Sequence, residues 1–463
     1  MKHRAIAIWA GPAAAVAVGL TLSQLGLPTP AANTAAVATL CAIWWIFEPI
    51  PIPVTSLVPF AAFPVLGVLD HKTVATAYGH HLILLLLGGF ILSTAIERCG
   101  AHRRLALGMV RLVGGKDRKR VVLGFMIASA VCSMWISNTA TVLMMLPIAM
   151  AILDTEDDGQ LAVPLLLGIA YASSIGGIGT PIGTPPNAIF LATYEEVTQK
   201  SWLFLDWMKE GLPVVVVFLP IAWLFLTRGM AAGDPIRLPA VGPWKTAERR
   251  VLTVFAITAL AWIFLDSPFG GWSRLIAPLG PDGQPHPAVG LSTVPLIAVI
   301  VLFLLPDGEG GKLLDWETAT KIPWGLLLLS GGGIALAKAF GASGLSAALG
   351  NALTALTSWP RVGMVVTLCL CVTFLTEITS NTATTTLLMP ILASAAIGAG
   401  QDPATLMLPA AMSASCAFML PVATAPNAIV FGSGRVPSRT MFRQGLGLNL
   451  IGVVVISAVT LFL

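Results

Sequence analysis

Charge is what this sequence has least of. Only 10% of its 463 residues are Asp, Glu, Lys or Arg, 56% are hydrophobic, and mean hydropathy is +0.85. A water-soluble chain carries roughly a quarter charged residues, so a soluble globular fold is excluded and lipid is the main solvent. The net charge of +4 is too small to mark a nucleic-acid surface, and the basic residues read better as topology signals. Cysteine and histidine are also scarce, with six of each. Cys41, Cys99, Cys132, Cys369, Cys371 and Cys416 include no Cys-x-x-Cys pair and lie in or beside apolar runs, as small hydrophobes do. His3, His71, His80, His81, His102 and His286 include no His-x-x-x-His pair, so no motif points to a protein-ligated transition metal. The chain also lacks a Gly-x-x-x-x-Gly-Lys-[Ser/Thr] loop, which excludes transport driven by its own ATP hydrolysis.

Long apolar runs fill the space. About 20 apolar residues cross a bilayer as a helix, which predicts spans at 5–26, 33–49, 53–69, 81–97, 161–178, 212–228, 250–265, 288–305, 323–340, 404–420 and 444–463. Lys2 and Arg4 before the first run also fit a signal peptide, with Pro30-Ala31-Ala32 near a cleavage point; an uncleaved first span is the preferred reading. Two further stretches, 121–153 and 362–399, are too long for one span and carry polar centres. Residues 98–120 hold eight Lys/Arg against one acid, whereas 195–210 hold four acids against two lysines. The positive-inside rule places the first loop in the cytoplasm and the second outside. Residues 228–250 and 435–443, both net basic, then fall inside only if 121–153 enters and leaves from one side, as a re-entrant hairpin does. The expected fold is therefore an all-α polytopic membrane protein with about 11 transmembrane helices and two re-entrant helical hairpins, its N-terminus cytoplasmic.

The chain also repeats. Ser137-Asn138-Thr139-Ala140-Thr141 recurs 243 residues later as Ser380-Asn381-Thr382-Ala383-Thr384, each followed at the same distance by a proline, Pro147 and Pro390. Leu86-Leu87-Gly88-Gly89 and Leu329-Ser330-Gly331-Gly332 share that offset, and Gly183-Thr184-Pro185-Pro186-Asn187 pairs with Ala423-Thr424-Ala425-Pro426-Asn427. The first unit enters its hairpin from inside and the second from outside, which is an inverted-topology repeat with binding expected near the midplane. The halves are 1–228, with hairpin 121–153, and 250–463, with hairpin 362–399, joined by a cytoplasmic linker at 229–249.

These motifs suit an ion-and-anion site. A helix broken in hydrocarbon strands backbone groups at several kcal/mol each unless protein, water or ligand satisfies them. Thr184-Pro185-Pro186 cannot continue a helix; freed carbonyls can coordinate a hard cation such as sodium, and helix N-termini attract an anion. Ser, Asn and Thr at a hairpin tip add hydroxyls and an amide that serve both. One such motif alone reads as a helix cap or interhelical bond; two in an inverted repeat, each paired with a Pro-Asn break, read as one site. Ser133 and Thr376 each lie four residues before a tip serine, on its helix face, suiting two equivalent cation sites, with back-bonding to their own helices the alternative. Glu377, three residues before Ser380, is costly in apolar surroundings and is expected to hold the tip, touch the cation or reach the interface. His80 and His81 are expected at the outer interface, Glu48 among headgroups, and Trp44, Trp45, Trp202 and Trp207 at span ends. Gly341-Ala342-Ser343-Gly344 spells an intramembrane serine-protease motif, but no histidine base follows His286, so the chain is not read as an enzyme. A channel fits paired dead-end hairpins less well than an occluded site does.

Two Ser-Asn-Thr motifs, Gly-Thr-Pro-Pro-Asn, Pro51-Ile52-Pro53-Val54-Thr55 and Thr376-Glu377-Ile378-Thr379-Ser380-Asn381-Thr382 together resemble the divalent-anion/sodium symporter family, from about residue 40 onward. The resemblance implies a scaffold and a transport domain in each protomer of a homodimer, moving as an elevator in the cell (inner) membrane. It implies one sodium (Na+) site from Ser133, Ser137, Asn138 and the backbone of Gly183, and another from Thr376, Ser380, Asn381 and the backbone of Ala423. Substrate carboxylates would meet Asn138, Thr139, Thr184, Asn381, Thr382 and Thr424. Ala425 replaces the first proline of the second loop, so the resemblance does not fix the shape of that side of the pocket or the substrate it selects. The expected function is sodium-coupled symport of C4-dicarboxylates such as succinate, malate or fumarate, with a dicarboxylate exchanger or sulfate carrier as the alternative.

Overall fold

The computed structural model describes residues 2–114, 117–154, 159–230, 242–266, 270–277, 289–352 and 359–462. Among these there is no β-strand, only one isolated bridge between Pro306 and Lys312. Helices satisfy their own backbone groups, which an apolar chain in lipid requires. The first half runs α1 (Lys2–Gln24), α2 (Thr29–Phe47), α3 (Ile52–Thr55), α4 (Val58–Val65), α5 (His71–Tyr78), α6 (His81–Cys99), α7 (Ala101–Gly114), α8 (Arg118–Ser133), α9 (Asn138–Leu153), α10 (Ala162–Gly177), α11 (Pro185–Thr198) and α12 (Phe204–Leu226). The second runs α13 (Thr246–Ile263), a 3-10 turn at Ser273–Leu275, α14 (Thr293–Leu304), α15 (Trp316–Ala319), α16 (Trp324–Ala342), α17 (Leu345–Ala352), α18 (Arg361–Leu375), α19 (Asn381–Gly398), α20 (Ala404–Ser413), α21 (Ala425–Gly432) and α22 (Ser438–Phe462).

Among the described residues, six segments are long and apolar enough to cross a bilayer: Arg4–Gln24, Thr29–Phe47, His71–Cys99, Phe204–Leu226, Trp324–Ala342 and Ser438–Phe462. The expected spans at 161–178, 250–265 and 288–305 are single helices, α10, α13 and α14, whereas two others are interrupted. The one at 53–69 is α3 and α4, parted at Ser56-Leu57, because Pro59 cannot donate into a preceding turn and starts a new helix at its second position. The one at 404–420 stops at Ser413, and no helix resumes until Ala425. Each arm of the two hairpins, α8–α9 and α18–α19, has 15 to 18 residues, or about 22–27 Å, short of the roughly 30 Å hydrocarbon core. In the expected linker, 231–241 lie outside the described residues, and Thr246 already opens α13, with Glu248 Oε2 accepting from Lys245 N–H at 2.9 Å.

The broken helices sit at the centre, and two long ones back them. A methyl placed on Gly211 of α12 would lie 2.5 Å from the Ile178 carbonyl oxygen, and one on Gly445 of α22 only 2.1 Å from that of Phe418. Only a residue without Cβ lets each long helix touch the unwound backbone after α10 and α20. The two halves also lock together, since the buried Tyr171 hydroxyl of α10 donates to the Phe418 carbonyl at 2.7 Å.

Candidate functional site

Both hairpins break the same way. In the first, Ser137 caps α9 by accepting from Ala140 N–H at 3.2 Å; in the second, Ser380 caps α19 by accepting from Ala383 N–H at 3.5 Å. Behind each cap the preceding helix end meets the tip asparagine. The Ser133 hydroxyl donates to Asn138 Oδ1, and the Thr376 hydroxyl lies 2.6 Å from Asn381 Oδ1 and 3.0 Å from the Ala414 carbonyl. Ser133 and Thr376 are fully buried, so these oxygens form the floor of each tip.

The breaks between α10 and α11 and between α20 and α21 face the tips. Each is stapled by the asparagine of its Pro-Asn motif: Asn187 Nδ2 donates to the Gly177 and Thr180 carbonyls at 2.8 and 2.7 Å, and Asn427 Nδ2 to those of Ala417 and Leu420, both at 3.0 Å. Both side chains are fully buried, and Oδ1 of each has no hydrogen-bond partner among the described residues. Gly177 is where the first break and tip converge. A methyl there would lie 2.9 Å from Asn138 Oδ1 and 3.2 Å from the Gly183 carbonyl oxygen, so both oxygens border one small space.

One cavity of about 500 Å³ lies between tips and breaks. Its lining includes Ser137, Asn138, Thr139, Gly183 and Thr184 from the first half and Ser380, Asn381, Thr382, Ala423 and Thr424 from the second. Of the residues expected at the site, only Ser133 and Thr376 are absent from this lining, lying behind it instead. Ser137, Thr184, Ser380 and Thr424 are the N-caps of α9, α11, α19 and α21, so four helix N-termini converge on one space. Each carries roughly half a positive charge, and the lining contains no Lys or Arg. The Thr424 hydroxyl is used in its own cap, 3.2 Å from Asn427 N–H, whereas the Thr184 hydroxyl makes no such bond. The arrangement can hold an anion by neutral donors and cations by hydroxyl and amide oxygens.

Several residues do work the sequence did not reveal. Glu377 clasps the opposing break: its carboxylate accepts from the N–H groups of Phe418, Met419 and Leu420 at 2.7, 2.9 and 3.1 Å and from Asn449 Nδ2 at 2.8 Å. Trp45 and Trp207, expected at span ends, are fully buried donors, to Ser56 Oγ at 3.2 Å and to the Ile178 carbonyl at 2.8 Å. Glu48 and Trp135 line the cavity, Glu48 lying 3.5 Å from Arg4 and not simply among headgroups. A left-handed backbone at Glu48, φ 46°, turns the chain there; Pro49 and Pro51 were the available signal.

The profile of the family described as "Sodium:sulfate symporter transmembrane region" matches residues 7–462. The chain belongs to that family. It is a membrane transporter by that membership, not an enzyme. Among its relatives, the sodium-dependent dicarboxylate transporter SdcS of Staphylococcus aureus strain MRSA252 is 38% identical over 462 residues, covering 94% of this chain and 86% of its own length. A transporter of the same name from Staphylococcus saprophyticus is 39% identical over 453 residues, covering 92% and 85%. Two solved structures share the fold: Neisseria gonorrhoeae MtrF, with a TM-score of 0.61 at 13% identity over 94% of this chain and 95% of its own, and the Alcanivorax borkumensis YdaH transporter, at 0.55 and 15% over 93% and 98%.

Proposed function

We propose that this protein is a sodium-coupled symporter of C4-dicarboxylates, working by elevator-type alternating access as a homodimer. The observation that carries the reading is the convergence of four helix N-termini, three of them capped by their own side chains, on a cavity lined by two Ser-Asn-Thr tips and by no Lys or Arg among the described residues. A dianion there takes its stabilisation from N–H dipoles, from Asn138, Thr139, Thr184, Asn381, Thr382 and Thr424, and from co-bound sodium. The first sodium takes Ser133, Ser137, Asn138 and the Gly183 carbonyl; the second takes Thr376, Ser380, Asn381 and the Ala423 carbonyl. The pairs Ser133–Asn138 and Thr376–Asn381 already stand together, and hard oxygen donors of this kind suit a small cation. Ions and substrate share Asn138 and Asn381, so each raises the affinity for the other. Relatives bearing the sodium-dependent dicarboxylate name support the choice of ion and substrate.

Uptake of labelled succinate into proteoliposomes tests this. A sodium gradient should drive accumulation, and potassium should not replace it. Flux that ignores sodium and needs internal dicarboxylate would establish exchange instead, and uptake competed only by sulfate would remove the carboxylate assignment.

A further inference from the structure

At the end of α11 remote from the cavity, about 15 Å along its axis, Glu195 meets the start of α6. Glu195 Oε2 lies 3.3 Å from Nε2 of His81, the first residue of α6, and the ring of His80, its N-cap, stands 4.5 Å from the His81 ring between centroids. One ligating atom from each of the three lies within 4.8 Å of the others. No motif in the sequence joins them, because the histidines are adjacent and the carboxylate arrives from another helix. Next to this cluster, Glu196 pairs with Lys338 of α16 at 2.9 Å, so the last turn of α11 is held against two helices.

Two imidazoles and one carboxylate form a three-ligand set that leaves a fourth position for water. Nitrogen donors of this kind select a borderline divalent ion such as zinc over sodium, magnesium or calcium. Around a tetrahedral zinc, ligands stand about 3.4 Å apart. Closing from 4.8 Å therefore takes a small side-chain shift, which the exposure of His81 (42%) and Glu195 (23%) leaves room for. Among the described residues, the His80 ring makes a single hydrogen bond, accepting at Nδ1 from Leu82 N–H at a long 3.3 Å. A metal that takes this ring displaces little.

We propose that His80, His81 and Glu195 bind one zinc-like divalent ion, which clamps the end of α11 to the start of α6. Both helices also border the cavity, α6 through Gly89, Phe90 and Ser93 and α11 through Pro185. A clamp between them freezes two walls that alternate access must move, so the bound metal inhibits transport. The inhibition rests on the transport reading above; the binding does not.

Zinc binding to the tag-free, detergent-purified full chain is measured first. One ion per chain is expected, with affinity falling more than about tenfold in both His81→Ala and Glu195→Gln, and with magnesium or calcium not competing. Unchanged affinity in both variants overturns the site. In proteoliposomes, zinc should suppress sodium-driven succinate uptake, and a chelator should restore it. Both variants should transport as wild type does and ignore zinc. One-to-one binding without inhibition overturns the clamp, whereas a wild-type protein that binds zinc but never takes up succinate counts against the transport reading alone.

Discussion

The two broken helices tie tip to break at equivalent positions with opposite chemistry. Met134 and Glu377 correspond in the repeat, as do Thr180 and Leu420. In the first half the break supplies the side chain, the Thr180 hydroxyl donating to the Met134 carbonyl; in the second the tip supplies it, the Glu377 carboxylate accepting from Leu420 N–H. Packing differs accordingly. The first break approaches its tip through Gly176, Gly177, Gly179 and Gly183, whereas Cys416, Ala417, Met419 and Ala423 stand at the matching places in the second. Close backbone approach holds one side, and a buried carboxylate holds the other. Two different sequences thus reach one geometry, and the shared Ser-Asn-Thr caps mark what must be common.

Glu377→Ala should have the largest effect. It leaves the Met419 and Leu420 N–H groups and the Asn449 amide without their acceptor, Phe418 N–H keeping only a 3.3 Å bond to Asn449 Oδ1, at about 1–3 kcal/mol for each buried donor, so thermal unfolding in detergent should show loss of at least about 3 kcal/mol. Met134→Ala, the matching change, should cost about 1 kcal/mol, from apolar contact alone. Equal losses would show that the second half does not depend on its carboxylate.

Asn138→Ala and Asn381→Ala come next. Each should raise the succinate and sodium concentrations needed for half-maximal uptake by about ten- to a hundredfold, for a lost charge-assisted bond of about 1.5–3 kcal/mol, with unfolding temperature little changed. A sodium requirement shifted by only one variant would break the equivalence of the halves. Gly177→Ala should follow, at about tenfold in sodium requirement, because its methyl presses on Asn138 Oδ1 from 2.9 Å. Ala417→Gly, its counterpart, should leave uptake within about twofold. Ser343→Ala should leave uptake unchanged and cost only about 1 kcal/mol in stability; its buried hydroxyl accepts a long 3.4 Å bond from Leu345 N–H at the end of α16.

The tips were legible in the sequence because polar triplets are conspicuous in apolar stretches and because they repeat. Thr184-Pro185-Pro186 announced the first break for the same reason, prolines being visible stops. The second break showed only at its Pro426-Asn427 end; its start at Ser413 was hidden, because Cys416-Ala417-Phe418-Met419 is as apolar as any helix, and hydropathy counts composition without seeing where backbone bonding ends. Trp207 does stand at a span end, and Glu377 does tie its tip, but their partners did not show: the Ile178 carbonyl and the Phe418–Leu420 amides are backbone groups that unwinding frees. Position in sequence cannot show which carbonyls and amides a break will release.

The bond from the Tyr171 hydroxyl to the Phe418 carbonyl spans 247 residues of chain. At the usual 5–20 residues per second of synthesis, Tyr171 leaves the ribosome roughly 12–50 s before its acceptor exists. Through that interval the newly inserted first half holds a phenol with no native partner and a bare flank where the second half will dock. A ribosome stalled after α12 would therefore leave an orphan that quality-control proteases can recognise, and the two halves made as separate chains would need to meet in the same membrane before either was degraded.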